Sequence, residues 1–405
     1  MVQLSFESQI IVVIGFCIIL AYILNLFFDK KLKLPLIIAP LTIGLFLNYN
    51  LSGFLQFAPN LKEIIAVFAN FGIAIMLFFI GLKVNFRYMK DLSKNAAIIA
   101  FNTGIIPFIF GLVATYLYTK NIVESVFVGV ALAITAEEVS ISILDELKLI
   151  KKRIGQLILD IGIIGDLFEI AIIAMLGIFI KYNSQTKYGF LNVFVELGIF
   201  FIIILLMRHV IIELLLNSIK KTKRNFEYFG VALITLLIMA VSSELLGFSM
   251  VIGALIAGML IKDKLIKDKL YYEEYHIIES LEVFNFSLFH PLIFIWIGLI
   301  INLNILYNNL DFGLVLILIA LSGKLIGSVL GNYFAKEPLS EGILIGWGLN
   351  ARGATELFAL LVAKNMGIIS GRIFSAIILM SLITTIISPI IFKNLVMKGY
   401  GIFNH

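Results

Sequence analysis

Charged residues are scarce in this chain, and cysteine and proline are scarcer still. Asp, Glu, Lys and Arg make up only 14% of the 405 residues, whereas 61% are hydrophobic and the mean hydropathy is +1.06. So few charges cannot cover the apolar surface of a soluble fold, which excludes a soluble globular protein. The single cysteine, Cys17, excludes an internal disulfide. Seven prolines, without a Ser- or Gly-rich tract, leave no room for a linker, so a polytopic membrane protein remains.

Apolar runs separated by short polar loops fill the chain from end to end. They predict an all-α polytopic membrane protein with 13 transmembrane helices. The predicted spans are residues 9–28, 34–49, 63–82, 96–118, 123–146, 155–180, 190–216, 226–246, 248–261, 280–301, 312–334, 340–363 and 373–392.

Lysine and arginine are distributed unevenly between the loops on the two sides of this arrangement. Of the 31 basic residues, 22 lie on one side, six on the other and three inside spans. The positive-inside rule assigns the richer side to the cytoplasm. We therefore expect a protein of the cytoplasmic membrane with its N-terminus outside and its C-terminus in the cytoplasm. The net charge of +5 belongs to these loops, so we expect the lipid bilayer as a partner and no nucleic acid.

An internal repeat relates the two halves of the chain. The motif FFIGLKVN at the end of span three reappears as FIWIGLIIN at the end of span ten, with Gly81 and Gly298 217 residues apart. The same offset aligns Thr135 with Arg352, and each lies at a polar interruption of an apolar run. A shift of seven spans reverses the orientation, so the pattern predicts an inverted-topology repeat, which is typical of secondary transporters.

Ionisable residues lie near the centres of four predicted spans. A charged side chain at the bilayer centre costs roughly 2.5–3.5 kcal/mol on insertion scales, so it pairs with an opposite charge or serves a function. The residues are Glu137 and Glu138 in span five, Asp166 in span six, Lys324 in span eleven, and Arg352 and Glu356 in span twelve.

The polar interruptions predict that spans five and twelve are broken helices. Unwound backbone carbonyls and half-helix ends are known ways to bind an ion inside a membrane protein. A small cation such as Na⁺ needs oxygen ligands, which the Asp166 carboxylate, the Thr135 hydroxyl and the backbone near Ala136 supply. A carboxylate that binds either a proton or a cation is a minimal exchanger, so Asp166 is the candidate Na⁺ ligand.

These residues carry a family resemblance. The stretch TAEEVSISILDELKLIKKRIGQLILDIGIIGDLFEIAIIA at 135–174 resembles the segment of bacterial monovalent cation:proton antiporters that joins the first broken helix to the ion-binding helix. It is closest to the Kef-type and sodium/proton exchanger branch. In that family a Thr-Ala pair opens the helix crossing and a two-residue motif ending in Asp carries the ion. Thr135-Ala136 and Gly165-Asp166 occupy these places.

Later motifs extend the resemblance over nearly the whole chain. LSGKLIGSVLG is similar to the family's helix with a midspan lysine, here Lys324. ARGATELFALLVAKNMGIIS is similar to the second broken helix, with Arg352 and Glu356 as ion-pair or structural residues at the crossing. GFSMVIGALIAGMLI and LFHPLIFIWIGLIIN are similar to further family segments.

The resemblance implies a fold of two functional parts with two crossing broken helices. Residues 1–90 and 226–305 would form a dimerisation part with spans one to three and eight to ten. Residues 91–180 and 306–405 would form the core, and residues 181–225 the linker helix. The core would move against the dimer in an elevator-like alternation of access. We expect a homodimer, and no C-terminal nucleotide-binding regulatory domain of the kind found in many Kef-type systems.

The sequence departs from the family pattern beside the ion-binding aspartate. Gly165 stands where relatives have Asp, Asn or Gln, so Lys324 needs another partner, which is Asp166 or one of the glutamates Glu137 and Glu138. The glutamates are also candidates for the ion path and for pairing with Arg352. With one titrating carboxylate the exchange would be electroneutral, whereas titration of Lys324 or of a glutamate would make it electrogenic.

A residue one turn from the candidate ligand completes the predicted site. Glu169 lies three residues after Asp166, and we expect it and Gly165 to support the ligand rather than to bind the ion. We expect no catalytic residues, no cofactor and no enzymatic activity.

The predicted function is exchange of a monovalent cation, Na⁺ or Li⁺, for H⁺. Exchange of K⁺ for H⁺ is the alternative within transport. A channel is a remote alternative, because it would need a continuous pore and no buried Lys and Asp. An intramembrane aspartyl protease needs two catalytic aspartates and a Gly-x-Gly-Asp motif, whereas residues 163–166 read Ile-Ile-Gly-Asp and no second span of that kind occurs.

Overall fold

The computed structural model of the chain describes residues 5–28, 36–49, 60–83, 93–135, 140–141, 143–144, 147–149, 152–165, 190–219, 225–246, 248, 250–268, 270–301, 304, 307, 309–352, 354–365 and 367–400. Within these ranges the regular structure is helical and no strand occurs. The predicted all-α class is therefore confirmed. It follows from the long apolar runs, because a helix satisfies its backbone polar groups internally where no water is present.

The first half of the chain begins with long apolar helices. They are α1 (Phe6–Phe27), α2 (Ile38–Tyr49), α3 (Leu61–Lys83), α4 (Lys94–Thr119), α5 (Ile122–Ala133), α6 (Phe190–Leu206) and α7 (Ile212–Ile219). Residues 153–165 are also helical and are called the 153–165 helix. A π-helical turn, Met207–Ile211, joins α6 to α7.

The second half continues in the same way. Its helices are α8 (Asn225–Leu245), α9 (Met250–Lys267), α10 (Tyr271–Phe284), α11 (His290–Ile300), α12 (Leu310–Phe334), α13 (Leu339–Gly348), α14 (Ala354–Asn365) and α15 (Gly371–Met397). A second π-helical turn, Asn285–Phe289, joins α10 to α11.

The chain is a multi-pass membrane protein. Among the described residues, eight helical segments are long and apolar enough to cross a membrane. They are α1, α3, α4, α8, α12 and α15, together with the segments Val195–Ile219 and Tyr272–Ile300, each of which contains a π-helical turn. The helices α2 and α5 are apolar but shorter. The count of thirteen spans stays a prediction.

The helix starts follow the predicted repeat. The short helices α5 and α13 begin at Ile122 and Leu339, which are 217 residues apart. The long helices that precede them, α4 and α12, begin at Lys94 and Leu310, which are 216 residues apart. The offset found in the motifs therefore also relates pairs of helices.

The chain divides into two compact units. Unit 1 comprises Met1–Ala21, Asn50–Met89 and Ile173–Trp296, and unit 2 comprises Tyr22–Tyr49, Lys90–Ile172 and Ile297–His405. The repeated helices α4, α5, α12 and α13 all belong to unit 2. The division into dimerisation, linker and core parts is a statement about function, and it stays a prediction.

Within unit 1, small residues bring α3 and α9 into backbone contact. A Cβ atom added to Gly258 would lie 2.9 Å from the Gly81 Cα atom, so neither position has room for a larger side chain. The π-helical turn between α10 and α11 holds a buried amide, because Asn285 Nδ2 lies 2.6 Å from the Met76 sulfur. These contacts give unit 1 its close packing around α3.

Within unit 2, small residues also bring α4 and α12 together. A Cβ atom added to Gly323 would lie 3.1 Å from Pro107 Cα, and one added to Gly327 would lie 2.6 Å from the Asn102 carbonyl oxygen. Because the next residue after Gly323 is Lys324, this close approach holds the lysine inside the unit, where it is 1% exposed.

Two buried glutamates at equivalent positions of the repeat tie a short helix to the start of another helix. Glu124, in the first turn of α5, accepts the Ser370 backbone N–H through Oε1 at 2.7 Å, and Ser370 caps α15. Glu341, in the first turn of α13, accepts a hydrogen bond from Nη1 of Arg153 at 2.9 Å, where the 153–165 helix begins. The two glutamates are 217 residues apart, and so are Arg153 and Ser370. We call these contacts the α5 latch and the α13 latch.

Candidate functional site

The candidate site is built on the end of α5. This helix begins at the cap residue Asn121, whose side chain accepts the backbone N–H groups of Val123 and Glu124, and it ends at Ala133. Ile134 is extended, with φ −61° and ψ 149°, so the helix stops well inside the predicted span 123–146. A helix end leaves carbonyl groups without intrahelical partners, and in a membrane they need donors from elsewhere.

Lys324 supplies one of these donors. Its Nζ atom donates a hydrogen bond of 2.6 Å to the Ala133 carbonyl oxygen and another of 2.6 Å to the Thr135 hydroxyl oxygen. The lysine lies in the middle of α12 and is 1% exposed, so its charge is removed from solvent. Its position at a helix C-terminus is favourable, because that end carries partial negative charge.

Arg352 supplies the remaining donors. Its Nη1 atom lies 3.0 Å from the carbonyl oxygen of Ala131, 3.1 Å from that of Leu132 and 2.6 Å from that of Ile134. The Arg352 backbone is fixed by α15, because its N–H donates to the Thr385 hydroxyl at 3.1 Å and its carbonyl accepts from the same hydroxyl at 3.2 Å. Arg352 is 1% exposed, so a second full positive charge lies at the end of α5.

Arg352 itself belongs to the second helix break. Span twelve was predicted at 340–363, and α13 ends at Gly348 whereas α14 begins only at Ala354. In this break Asn350 donates through Nδ2 to the Leu321 carbonyl oxygen at 3.1 Å, and the Ser140 hydroxyl bonds to the Gly348 carbonyl. Arg352 thus joins the two breaks, as the prediction of crossing broken helices requires.

Glu356 is the carboxylate of this cluster among the described residues. It lies in the first turn of α14 and is fully buried. Its Oε1 atom accepts a hydrogen bond of 3.2 Å from the Ser381 hydroxyl, and its Oε2 atom is 3.7 Å from Arg352 Nε. Among the described residues, Glu356 and the partial negative charge at the end of α5 lie near the positive charges of Lys324 and Arg352.

The structure brings together four of the predicted site residues. Thr135, Lys324, Arg352 and Glu356 are linked by the contacts just described. Gly165 is helical, and a Cβ atom added to it would meet no atom of the described residues within 4 Å.

The other predicted site residues, Asp166, Ala136, Glu137, Glu138 and Glu169, lie outside the described residues, so their roles stay predictions. The expected pairing of Lys324 with a carboxylate also stays a prediction.

Sequence reasoning missed the backbone acceptors of the two cations. A carbonyl group has no sequence signature of its own, and the predicted partners of Lys324 were carboxylates. The usable signal was the predicted break before Thr135, because any helix that ends inside a membrane leaves its last carbonyls in need of donors. The contributions of Ser381 and Thr385 from α15 had no such signal.

Comparisons with known proteins agree with this architecture. The chain is 25% identical over 373 residues to a Na⁺/H⁺ antiporter of Enterococcus hirae, covering 92% of this chain and 94% of that protein. It is 23% identical over 363 residues to the Na⁺/H⁺–K⁺ antiporter GerN of Bacillus cereus, covering 90% of each. The chain spans about half the length of the plant relatives that it matches, for instance 46% of Cation/H⁺ antiporter 17 of Arabidopsis thaliana.

The fold is also that of a solved structure. The sodium proton antiporter MjNhaP1 from Methanocaldococcus jannaschii superposes with a TM-score of 0.63 over 96% of this chain and 97% of that one, at 17% sequence identity. The family model described as "Sodium/hydrogen exchanger, transmembrane" matches residues 15–398. With that match over nearly its whole length, the chain belongs to the sodium/hydrogen exchanger family of membrane transporters.

Proposed function

We propose that this protein exchanges a monovalent cation, Na⁺ or Li⁺, for H⁺, with Asp166 binding the proton and the cation in turn. The cation site beside Asp166 is lined by the Thr135 hydroxyl, the backbone at Ala136 and the carboxylates Glu137 and Glu138. Lys324 and Arg352 hold the end of α5 in position. Membership of the exchanger family supports the reaction class. The relatives' names support Na⁺ as the cation.

The observation that carries the proposal is the buried break after α5. Non-helical backbone at membrane depth is tolerated where it lines a cavity or binds an ion. Here Thr135 lies in that break, and the neighbouring carbonyls of Ala133 and Ile134 are held by two buried cations. The positive charges of Lys324 and Arg352 favour the ionised form of an Asp166 nearby, which is the form that binds a cation.

The proposal includes the arrangement in the membrane. Residues 91–180 and 306–405 act as a core that moves in an elevator-like way against the dimerisation residues 1–90 and 226–305, with 181–225 as the linker. The protein is a homodimer of the cytoplasmic membrane, with its N-terminus outside and its C-terminus inside. The distribution of Lys and Arg between the loops supports this orientation.

The test uses the purified full chain in lipid vesicles that carry a preset pH difference and an internal pH dye. A pulse of Na⁺ or Li⁺ should discharge the pH difference. Asp166→Asn should abolish the discharge, because an amide neither ionises nor releases a proton. Asp160→Asn is the matched control, six residues earlier in the chain, and should keep it. A fully active Asp166→Asn variant refutes the assignment, and a wild-type protein that ignores both cations refutes the function.

K⁺/H⁺ exchange is the second candidate, because the Bacillus cereus relative GerN is named a Na⁺/H⁺–K⁺ antiporter. The same vesicles test it with a K⁺ pulse in the absence of any ionophore. Discharge by K⁺ at concentrations where Na⁺ has no effect would replace Na⁺ by K⁺ as the exchanged cation.

A further inference from the structure

We propose that Thr385 is a positioning residue of the exchanger: its hydroxyl group fixes the backbone of Arg352 and thereby sets the affinity of the cation site at Thr135. The inference rests on the proposed function, in which the Thr135 hydroxyl binds the transported cation. It gives a functional role to one hydroxyl group of α15, a helix that contains none of the predicted cation ligands.

The Thr385 hydroxyl bonds to both backbone polar groups of Arg352. It accepts a hydrogen bond from the Arg352 N–H at 3.1 Å and donates one to the Arg352 carbonyl oxygen at 3.2 Å. Arg352 lies outside regular helix, because α13 ends at Gly348 and α14 begins at Ala354. Thr385 and Arg352 are at most 1% exposed, so this hydroxyl supplies partners for backbone groups that have no contact with solvent.

This use of a threonine differs from that of other threonines in the described helices. A threonine inside a helix commonly donates to the carbonyl oxygen four residues earlier in the same helix. Four threonines do so here, at 2.8–3.0 Å, namely Thr103, Thr119, Thr235 and Thr384. Thr385 is the neighbour of Thr384 and equally buried, yet its described hydrogen bonds go to Arg352 rather than to its own helix.

Arg352 is thereby held at both of its ends. Its backbone is bonded to Thr385, and its Nη1 atom donates to the carbonyl oxygens of Ala131, Leu132 and Ile134 at 3.0, 3.1 and 2.6 Å. An arginine side chain has several rotatable bonds and loses much conformational freedom when it is ordered. Fixing the backbone limits the positions that the guanidinium can reach, so Thr385 and the end of α5 together determine where it lies.

The shortest of these bonds lies next to the candidate cation ligand. Ile134, whose carbonyl oxygen is 2.6 Å from Nη1, is extended, and the following residue is Thr135. A shift of Arg352 therefore moves the peptide unit that joins Ile134 to Thr135. Binding groups need to be held within about 0.5 Å of their productive positions. Without the Thr385 hydroxyl the cation has to order its own ligands as it binds, which weakens binding.

The test measures the KM for Na⁺ with the full chain in vesicles that carry a preset pH difference. Thr385→Val keeps the shape of the side chain and removes the hydroxyl. We expect the KM to rise about fivefold, which corresponds to the net contribution of about one hydrogen bond. Thr385→Ala also lacks the hydroxyl and should show the same rise, whereas Thr385→Ser keeps the hydroxyl and should restore the wild-type KM.

The matched control is Thr384→Val, which removes the neighbouring hydroxyl. That hydroxyl is equally buried, and its described hydrogen bonds go to the Met380 and Ser381 carbonyl oxygens of its own helix. Thr384→Val should therefore keep the wild-type KM. If Thr385 had only a structural role, its loss would lower the amount of folded protein and hence the rate, and would leave the KM of the folded molecules unchanged.

A second measurement needs no transport. Na⁺ should raise the melting temperature of the protein in detergent, and the Na⁺ concentration that gives half of this rise should be about fivefold higher in Thr385→Val. A wild-type KM in Thr385→Val, or an equal rise in Thr384→Val, overturns the inference and leaves the proposed function intact. The same holds if both hydroxyl-free variants of Thr385 fail to fold while Thr384→Val folds. A wild type that exchanges none of Na⁺, Li⁺ and K⁺ for H⁺ overturns the proposed function itself.

Discussion

Replacing Arg352 by methionine removes the donor that holds the last turn of α5. Methionine has a similar length and no charge, so the change leaves most of the volume filled. The carbonyls of Ala131, Leu132 and Ile134 lose the Nη1 atom at 2.6–3.1 Å, and Glu356 loses the cation 3.7 Å away. Every one of these groups stays buried without water to replace the lost partner.

The expected loss of stability depends on which contacts of Arg352 are hydrogen bonds. Removing one partner of a buried charged arrangement costs about 3–5 kcal/mol, and we expect Arg352→Met to lower the free energy of unfolding by that amount. In Glu356→Gln the amide oxygen can still accept the hydrogen bond from Ser381, and no hydrogen bond to Arg352 is removed. We therefore expect the free energy of unfolding to fall by about 1 kcal/mol or less. The coupling energy of the double-mutant cycle should then be about 1 kcal/mol or less, rather than the value near 3 kcal/mol of strongly coupled neighbours.

The assay is reversible unfolding in mixed micelles, in which the detergent SDS is increased and helix content is followed. The matched control is Arg372→Met, an exposed arginine in the first turn of α15, which should change the free energy of unfolding by about 0.5 kcal/mol or less. A coupling energy near 3 kcal/mol would show that Arg352 and Glu356 stabilise each other directly. That result would refute the reasoning that the α5 carbonyls hold the guanidinium.

Two further predictions address the helix packing and the cation ligand. Gly327→Ala should destabilise the protein by about 1–3 kcal/mol, because the new Cβ atom would lie 2.6 Å from the Asn102 carbonyl oxygen. Gly104→Ala on α4, where a new Cβ atom would meet no described atom within 4 Å, should be neutral or stabilising in the same unfolding assay. Thr135→Val should raise the KM for Na⁺ about tenfold, because the cation loses one oxygen ligand. Thr135→Ser keeps a hydroxyl and should leave the KM unchanged. Equal KM values in the two variants would exclude the hydroxyl as a ligand.

Much of the fold was predictable because a membrane allows few backbone structures. Apolar runs of sufficient length must be helices, so the start of α4 at Lys94 and of α12 at Leu310 lies within two residues of the predicted spans at 96 and 312. The breaks near Thr135 and Arg352 were predictable because polar clusters interrupt apolar runs there. The midspan position of Lys324 and Arg352 predicted their burial, because a cation in a membrane span faces the interior of the bundle.

The geometry of the cluster was not predictable, for two physical reasons. The acceptors of Lys324 and Arg352 are mainly backbone carbonyls, which every residue carries, so sequence cannot single them out. The side chains that complete the site come from α15, and residues such as Ser381 and Thr385 look like ordinary serines and threonines in a membrane helix. The α5 latch and the α13 latch were not predicted either. Glu124 and Glu341 lie near helix starts, where acidic residues are common, so nothing in the sequence sets them apart.

The two latches occupy matching places in the repeat, yet their chemistry differs. The α5 latch joins a carboxylate to a backbone amide, whereas the α13 latch joins the Glu341 carboxylate to a half-exposed Arg153, which also bonds to Glu337. Pairs of opposite charge near water are screened by salt over about 8 Å at physiological ionic strength, and a carboxylate–amide bond is affected less. We therefore expect a higher ionic strength to weaken the α13 latch more than the α5 latch, so the two equivalent places of the repeat differ in their response to salt.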